Sequence, residues 1–290
     1  MKYRDRKGRE FEQTTGQDTF LATAYSSAFG RGLMKFLGLP IFSKCSRYIL
    51  NSKFSTPFIF TFAEKNGIDM FDYEQRMYTS FNDFFTRKIK AGRRFVTKDD
   101  KMLVSPCDSK VSAYEITNSN CFVIKNSVYD VESLLRDTKL AQRFMGGYAV
   151  VFRLSVDDYH RYIYPCNGIK SHNRKISGVL HTVNPVVNKY LPVYKENSRE
   201  YCMLRTDNFG DVIQMEVGAL MVGKITNLHP YGRRTVYRGE EKGYFEFGGS
   251  TIVLLLEKGK VKLLPDFIKN TRQGFETKVL QGEIIGESMQ

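Results

Sequence analysis

The pattern of apolar and polar positions divides the chain near residue 103. In residues 19–50, Phe20, Tyr25, Phe29, Leu33, Phe36 and Leu37 recur at helical spacing, with Arg31, Lys35 and Lys44 between them. Gly38 and Pro40 interrupt the stripe and predict a second short helix beyond them. Residues 57–78 read as a further aromatic-rich helical stretch, and Ser80 followed by Asp83 predicts an N-cap leading into FNDFFTRKIK. From Leu103 the period changes. Short apolar runs such as GYAVVFRLS, EYCMLRT and DVIQMEVGALMVGKITNL are separated by Gly, Asn and Asp turns, as strands are. One short helix is expected over about 128–136, and the turn at Asn208–Gly210 predicts a hairpin. The pattern predicts an α+β protein, with a mainly helical region over 1–102 and a β-rich catalytic domain over 103–290. VGALMVGKI and VLQGEIIG are similar to the hammerhead strands of lipoyl and biotinyl domains, a barrel-sandwich hybrid.

One stretch stands apart. GYFEFGGSTIVLLL, residues 243–256, contains an alternating half and an unbroken apolar half, both reading as strand. Gly248 and Gly249 between them predict a bulge or tight bend, and the plain reading of Ser250 is filler in a bulged strand. The same features allow chemistry. A strained Gly-Gly leaves the Gly249 carbonyl open to the Ser250 hydroxyl, and attack there replaces the peptide bond by an ester. Elimination to dehydroalanine and hydrolysis then leave a pyruvoyl group at a new amino terminus, an electrophile of the kind for which proteins otherwise need a cofactor.

Composition narrows the setting. The 290 residues are 42% hydrophobic and 26% charged, ordinary for a folded protein with a real core. No apolar run is long enough to span a bilayer, and the charged start MKYRDRKGREFEQ is not a secretory signal. The formal charge of +13 favours an anionic partner, nucleic acid or an anionic membrane surface, although scattered Lys and Arg are most often a solvated face. No nucleic-acid-binding motif accompanies the charge. The five cysteines, Cys45, Cys107, Cys121, Cys166 and Cys202, show no CxxC pair, so neither a disulfide framework nor a zinc site is indicated and a reducing compartment is expected.

The attack on Gly249 needs a base and an orienting group. His160 lies in VDDYHRYIYPCNG, just after a buried strand, within the polar cluster Asp157, Asp158, Tyr159, His160 and Arg161. His181, in GVLHTVNP, has apolar neighbours and reads either as a core histidine or as a second candidate. His172 and His229 sit in polar turns and are expected at the surface, and no histidine pair has metal-ligand spacing, so no metal is expected. Asp108, in SPCDSKV, is either a turn aspartate bonded to local N–H groups or the carboxylate that orients a histidine.

These residues carry a resemblance. SFNDFFTRKIKAG, SPCDSKVS, DDYHRYIYPCNG, GVLHTVNPV, MEVGALMVGKI, KGYFEFGGSTIVLLLEKGKVK and GFETKVLQGEIIGE occur in the order found in the phosphatidylserine decarboxylase family, which the chain resembles over nearly its whole length. The resemblance implies self-cleavage between Gly249 and Ser250 into a β chain, 1–249, and an α chain, 250–290, with Ser250 becoming the pyruvoyl cofactor. It implies decarboxylation of phosphatidylserine in anionic membranes, an Asp/His/Ser set including Asp108 and Ser250, and a peripheral protein on the cytoplasmic face. The partners expected are the lipid, the protein's own two chains and, as one oligomeric state, a second copy in a homodimer. Three positions depart from the common family pattern, one of them Gly248 beside the cleavage site, where many members have leucine. Ile163 stands where many members have a second histidine, which leaves the cleavage and decarboxylation roles to His160 and His181, and Ser109 stands where many have glycine.

Two readings from other classes use the same residues. A non-enzymatic carrier would use Lys110 in a turn between hammerhead strands. A Ser/His/Asp lipid hydrolase would use Ser250, although a strand rather than a helix follows that serine.

Overall fold

The computed structural model describes residues 2–12, 23–37, 46–124, 127–179, 181–182, 187, 193–219, 224–248 and 250–290. The predicted break at Gly38 and Pro40 lies outside these residues, as do Phe20, Lys44 and Gly249. A β-rich body dominates, as the pattern from Leu103 onward leads one to expect. Among the described residues its main element is an eleven-stranded sheet. The strand Ser250–Leu256 lies in the middle, antiparallel to Asp211–Val217 on one side and to Tyr148–Leu154 on the other. Beyond Tyr148–Leu154 come Ser109–Glu115 and Glu276–Val279, and the predicted hairpin joins Arg199–Arg205 to Asp211–Val217 through Gly210 at φ 67°.

The unbroken apolar run of TIVLLL follows from burial on both faces. Ile252, Leu254 and Leu256 belong to one core cluster, with Val212, Phe152 and Leu154. Val253 and Leu255 belong to the other, with Ile213, Met215 and Val151. Successive side chains point to opposite faces of a sheet, so a strand covered on both sides shows no alternation. The second cluster also packs Phe122, Tyr129 and Tyr194 with the helix Val131–Leu135. The first cluster is roofed by a smaller sheet of Ile225–Asn227, Glu241–Phe245 and Arg161–Ile163.

Three expectations are revised. The large sheet runs as an open path from Arg234–Val236 to Glu10–Glu12, with no closed barrel among the described residues. Its edge strands are three residues long and charged, which discourages further pairing. Residues 2–12 are not helical but form a hairpin turning at Gly8, φ 79°, whose first strand runs parallel to Glu276–Val279. The aromatic helix covers Phe58–Lys65 rather than reaching Tyr78, because the chain turns at Gly67 with φ 62°. A C-terminal helix, Pro265–Arg272, was not legible in the pattern; it is short and polar and buries only Phe267 and Asn270. The predicted cap at Ser80 is present, its hydroxyl accepting from the Asp83 N–H at 3.1 Å, and opens the helix Phe81–Phe85.

Because Leu254 fills the middle of a strand covered on both faces, Leu254→Ala in a Ser250→Ala background should lower unfolding free energy by about 2–5 kcal/mol in urea titrations.

Candidate active site

Ser250 is the first residue of the central strand and is paired with Leu154, the last residue of Tyr148–Leu154. Its side chain has the same parity as Ile252 and Leu254 and so faces the core beneath the small sheet, while Thr251 faces the other side. The Ser250 hydroxyl is fully buried and has no hydrogen-bond partner among the described residues. An orphaned polar atom of this kind costs stability unless something else uses it. Immediately upstream, Gly248 has φ 137°, a conformation L residues rarely adopt. Phe247 is pinned beside it: its N–H donates to Asn82 Oδ1 at 3.0 Å, and its ring packs edge-on against Phe62, Phe81 and Phe85.

His160 arrives from the neighbouring strand. The chain leaves Leu154, turns through Ser155–Asp158, and returns with His160 six residues later. The His160 carbonyl accepts from the Phe245 N–H at 3.0 Å, and its ring lies 4.1 Å from that of Phe85. Nδ1 is 2.8 Å from the Asp158 carbonyl. A carbonyl only accepts, so Nδ1 carries the proton and Nε2 presents its lone pair. Nε2 is buried and unpartnered, like the serine hydroxyl. Burial pushes the imidazole down to about 3, the Asp158 carbonyl opposing and the Arg87 and Lys110 cations helping, so it is neutral at pH 7.

The turn that holds His160 is itself locked. The Asp158 carboxylate accepts from the Ser155 N–H at 2.7 Å and from Lys110 Nζ at 3.0 Å. Lys110 is 2% exposed, within the strand Ser109–Glu115, and also donates to Ser155 Oγ at 3.1 Å. A carrier lysine has to stand free on an exposed turn, so the geometry removes that reading of Lys110. Its role here, and that of Asp158, was missed by sequence reasoning, although the dense polar cluster at the strand end was the available signal.

Asp108 and His181 are placed differently. Asp108 is buried and forms a two-pronged pair with Arg94, through Nε at 2.9 Å and through Nη2, and accepts from the Gln281 N–H at 2.7 Å. Gln281 in turn donates to the Arg161 carbonyl at 2.9 Å. Asp108 thus braces the strand that follows His160, and the His160 Nδ1 bond goes to Asp158 instead. His181 is buried on the opposite side of the sheet, with Nδ1 3.2 Å from the Tyr25 hydroxyl and Nε2 3.5 Å from the Glu196 carboxylate. Asn197 ties it to the serine end: its side chain bonds both the N–H and the carbonyl of His181 and the carbonyl of Gly218, which follows the cross-strand partner of Thr251. His172 and His229 are exposed, as expected. No group of three or more potential metal ligands occurs among the described residues.

A buried serine at the head of a strand, a glycine bend before it and a neutral histidine make a candidate site of nucleophile and base within one β-rich body. The model of the phosphatidylserine decarboxylase family matches residues 81–287, and the chain belongs to that family. It is 46% identical over 280 residues to phosphatidylserine decarboxylase proenzyme 2 of Clostridium acetobutylicum, covering 96% of this chain and 94% of that protein. It is 41% identical over 288 residues to the phosphatidylserine decarboxylase proenzyme of Ruminiclostridium cellulolyticum, covering 98% and 95%. To the corresponding proenzyme of Clostridium kluyveri it is 37% identical over 292 residues, covering 99% and 98%.

The depressed basicity of His160 has a direct signature. Nitrogen-15 spectra of Ser250→Ala protein should show one imidazole protonated at Nδ1 alone and unchanged from pH 8 to pH 5. Because the unfolded histidine titrates near 6.5 and the native one does not, stability should also fall as pH drops below about 6.5. A His160 signal that titrates near 6.5 contradicts this geometry.

Proposed function

We propose that this chain is a pyruvoyl-dependent decarboxylase that converts phosphatidylserine to phosphatidylethanolamine and carbon dioxide, after cleaving itself between Gly249 and Ser250. The observation that carries the reading is the pair of buried, unpartnered atoms on one side of the sheet, Ser250 Oγ and His160 Nε2. In the cleavage step the His160 lone pair takes the serine proton as Oγ attacks the Gly249 carbonyl. The Gly248 bend and the Phe247 clamp hold the segment for that attack. Asp108 supports the step at one remove, by bracing the strand after His160 through Gln281.

The pyruvoyl group, once made from Ser250, supplies an electron-accepting carbonyl to which the substrate amine is joined while carbon dioxide leaves. The residues around it do the rest. In each turnover His160 Nε2 takes up a proton from solvent and passes it to the substrate α-carbon in place of the carbon dioxide lost, and His181 is the second candidate for that role. The processed halves stay together, because the α chain keeps Ser250–Leu256 between two β-chain strands, Glu276–Val279 beside Ser109–Glu115, and Ile284–Ser288 beside Met102–Val104.

Membrane contact belongs to the same reading. Helix Ala28–Leu37 buries Met34 but exposes Phe29, Leu33 and Phe36. The exposed apolar set continues through Tyr48, Ile49, Phe54, Phe58 and Phe60, and Tyr48, Ile49, Phe54 and Phe58 line one cleft. Together with the charge of +13 this suits a peripheral protein lying on an anionic bilayer at the cytoplasmic face. No helix among the described residues is long and apolar enough to cross a membrane.

Intact mass of the purified protein should show two chains, with a pyruvoyl end on the fragment starting at position 250, and Ser250→Ala should give one chain. Splitting of Ser250→Ala at the same bond would sink the mechanism. His160→Ala should abolish carbon dioxide release. His181→Ala should slow cleavage, and normal cleavage and turnover in that variant would leave His181 as a core histidine. Sedimentation with anionic vesicles should weaken as salt rises and in Phe54→Ser/Phe58→Ser; binding indifferent to salt and to both changes would remove the docking face.

A further inference from the structure

Arg87 is the largest fully buried side chain in the molecule's described part, and it has no carboxylate partner among the described residues. It follows the helix Phe81–Phe85 by two residues, so it enters the interior beside Phe85, whose ring rests on His160. Its guanidinium lies between two aromatic faces, 4.3 Å from the Tyr73 ring centroid and 4.9 Å from that of Phe84. One nitrogen, Nη2, donates to the Tyr73 hydroxyl at 3.3 Å. The other two, Nε and Nη1, are buried with no acceptor, and so is the hydroxyl of Tyr78, whose ring packs on Phe84.

Aromatic faces compensate a desolvated cation only in part, and an unpaired buried charge is costly, so the faces alone do not account for this placement. With Nη2 held by Tyr73, Nε and Nη1 are left as two separate donors on different edges of the guanidinium, and the Tyr78 hydroxyl, whose ring shares Phe84 with the cation, is a third. The site therefore offers donors without acceptors, next to the histidine that handles the reaction's protons.

We propose that Arg87, with Tyr78, is the receptor for the phosphodiester of the substrate headgroup. The proposal rests on the decarboxylase reading and adds to it which substrate group this corner of the site holds. The substrate carries two anionic groups, and chemistry distinguishes them. A cation that gripped the carboxylate would hold the ground state of a group that loses its charge in the reaction, and would raise the barrier. The phosphodiester keeps its charge throughout, so pairing with it binds substrate and transition state alike. It is also joined to the α-carbon through one CH₂–O link, so a phosphate on Arg87 leaves the α-carbon on the His160 side. Tyr73 keeps the guanidinium plane fixed, and Phe84 and Phe85 set Arg87 and His160 on a common aromatic wall.

The test uses processed, two-chain enzyme with phosphatidylserine in mixed micelles and inorganic phosphate as a probe. Arg87→Met should raise KM at least tenfold with a much smaller change in kcat, while cleavage into two chains proceeds. Inorganic phosphate should inhibit the unaltered enzyme competitively and lose that effect in Arg87→Met. Water-soluble glycerophosphoserine should show the same dependence on Arg87, which ties the effect to the headgroup and not to the acyl chains. An O-alkyl serine without phosphate should lose far less kcat/KM in Arg87→Met than phosphatidylserine does, since only the charge near His160 and not a phosphate contact is removed. If Arg87→Met does not fold, Arg87→Lys, which keeps the charge but not the Nε and Nη1 donors, decides the matter by raising KM and the phosphate inhibition constant together. An unchanged KM and unchanged phosphate inhibition in the variant that folds overturn the proposal, as does a kcat loss at constant KM. Failure of the unaltered protein to release carbon dioxide from phosphatidylserine is a different result, and removes the decarboxylase reading itself.

Discussion

The pairing of Ser250–Leu256 between two long antiparallel neighbours is the constraint on which the rest of the structure depends. Six register pairs on one side and seven on the other fix every residue of the strand, and both faces are sealed by apolar clusters. A strand held this way cannot slip, since a shift of one residue would exchange its two faces. The serine at its head therefore has a fixed position, and Gly248 in the bend before it takes φ 137°, a conformation that residues with a Cβ rarely adopt. The same pairing would hold a chain cut at the proposed Gly249–Ser250 bond together, because residues 251–256 keep their partners on both sides.

Around this strand the interior carries an unusual number of charges, and most are paired with care. Lys242 meets Glu216 at 2.6 Å, both essentially without exposure, and Asn227 bonds to both. Burial pushes the Glu216 carboxyl up to about 7 against the pull of Lys242, with Glu200 directly across the strand pair adding to the rise. Arg153 is matched by Glu276, and Lys110 by Asp158. Burying such pairs gains little net stability, but each one ties separate elements together: the small sheet to the large one, the strand Glu276–Val279 to Tyr148–Leu154, and the histidine turn to its supporting strand. Arg87, Ser250 and His160 are among the residues of the described part whose buried polar atoms lack a partner, and they are the ones gathered around Phe85 and the Gly248 bend.

The segment before residue 103 is part of the site and not an appendage to it. Phe85 packs on His160, Asn82 and Phe81 hold Phe247, and Tyr25 reaches His181 across the sheet. The same segment displays Phe29, Phe54 and Phe58 outward. The segment thus presents apolar side chains outside and reaches His160 on one side of the sheet and His181 on the other.

How much of this was legible in the sequence depends on whether the cause is local. The hairpin at Asn208–Gly210, the Ser80 cap, the bend at Gly248 and the doubly buried TIVLLL strand follow from backbone sterics and side-chain period, which act between near neighbours, and the ordered motifs were enough to indicate the family. The hairpin of residues 2–12 was not legible, because its edge strand is stabilised by Glu276–Val279, some 270 positions away. The barrel did not form because sheet closure depends on the pairing of distant edges. Asp108 and His160 were each visible, but their partners were not. Whether a turn aspartate meets a histidine or an arginine is decided by which strands lie side by side, and here Arg94 and Gln281 reach it first. Lys110 read as a turn lysine open to a carrier role, and Arg87 as one more charge of a solvated basic face. Only the tertiary structure buries them, and only burial, by removing water, turns one into the clamp of the turn that holds His160 and the other into a cation with two donors to spare.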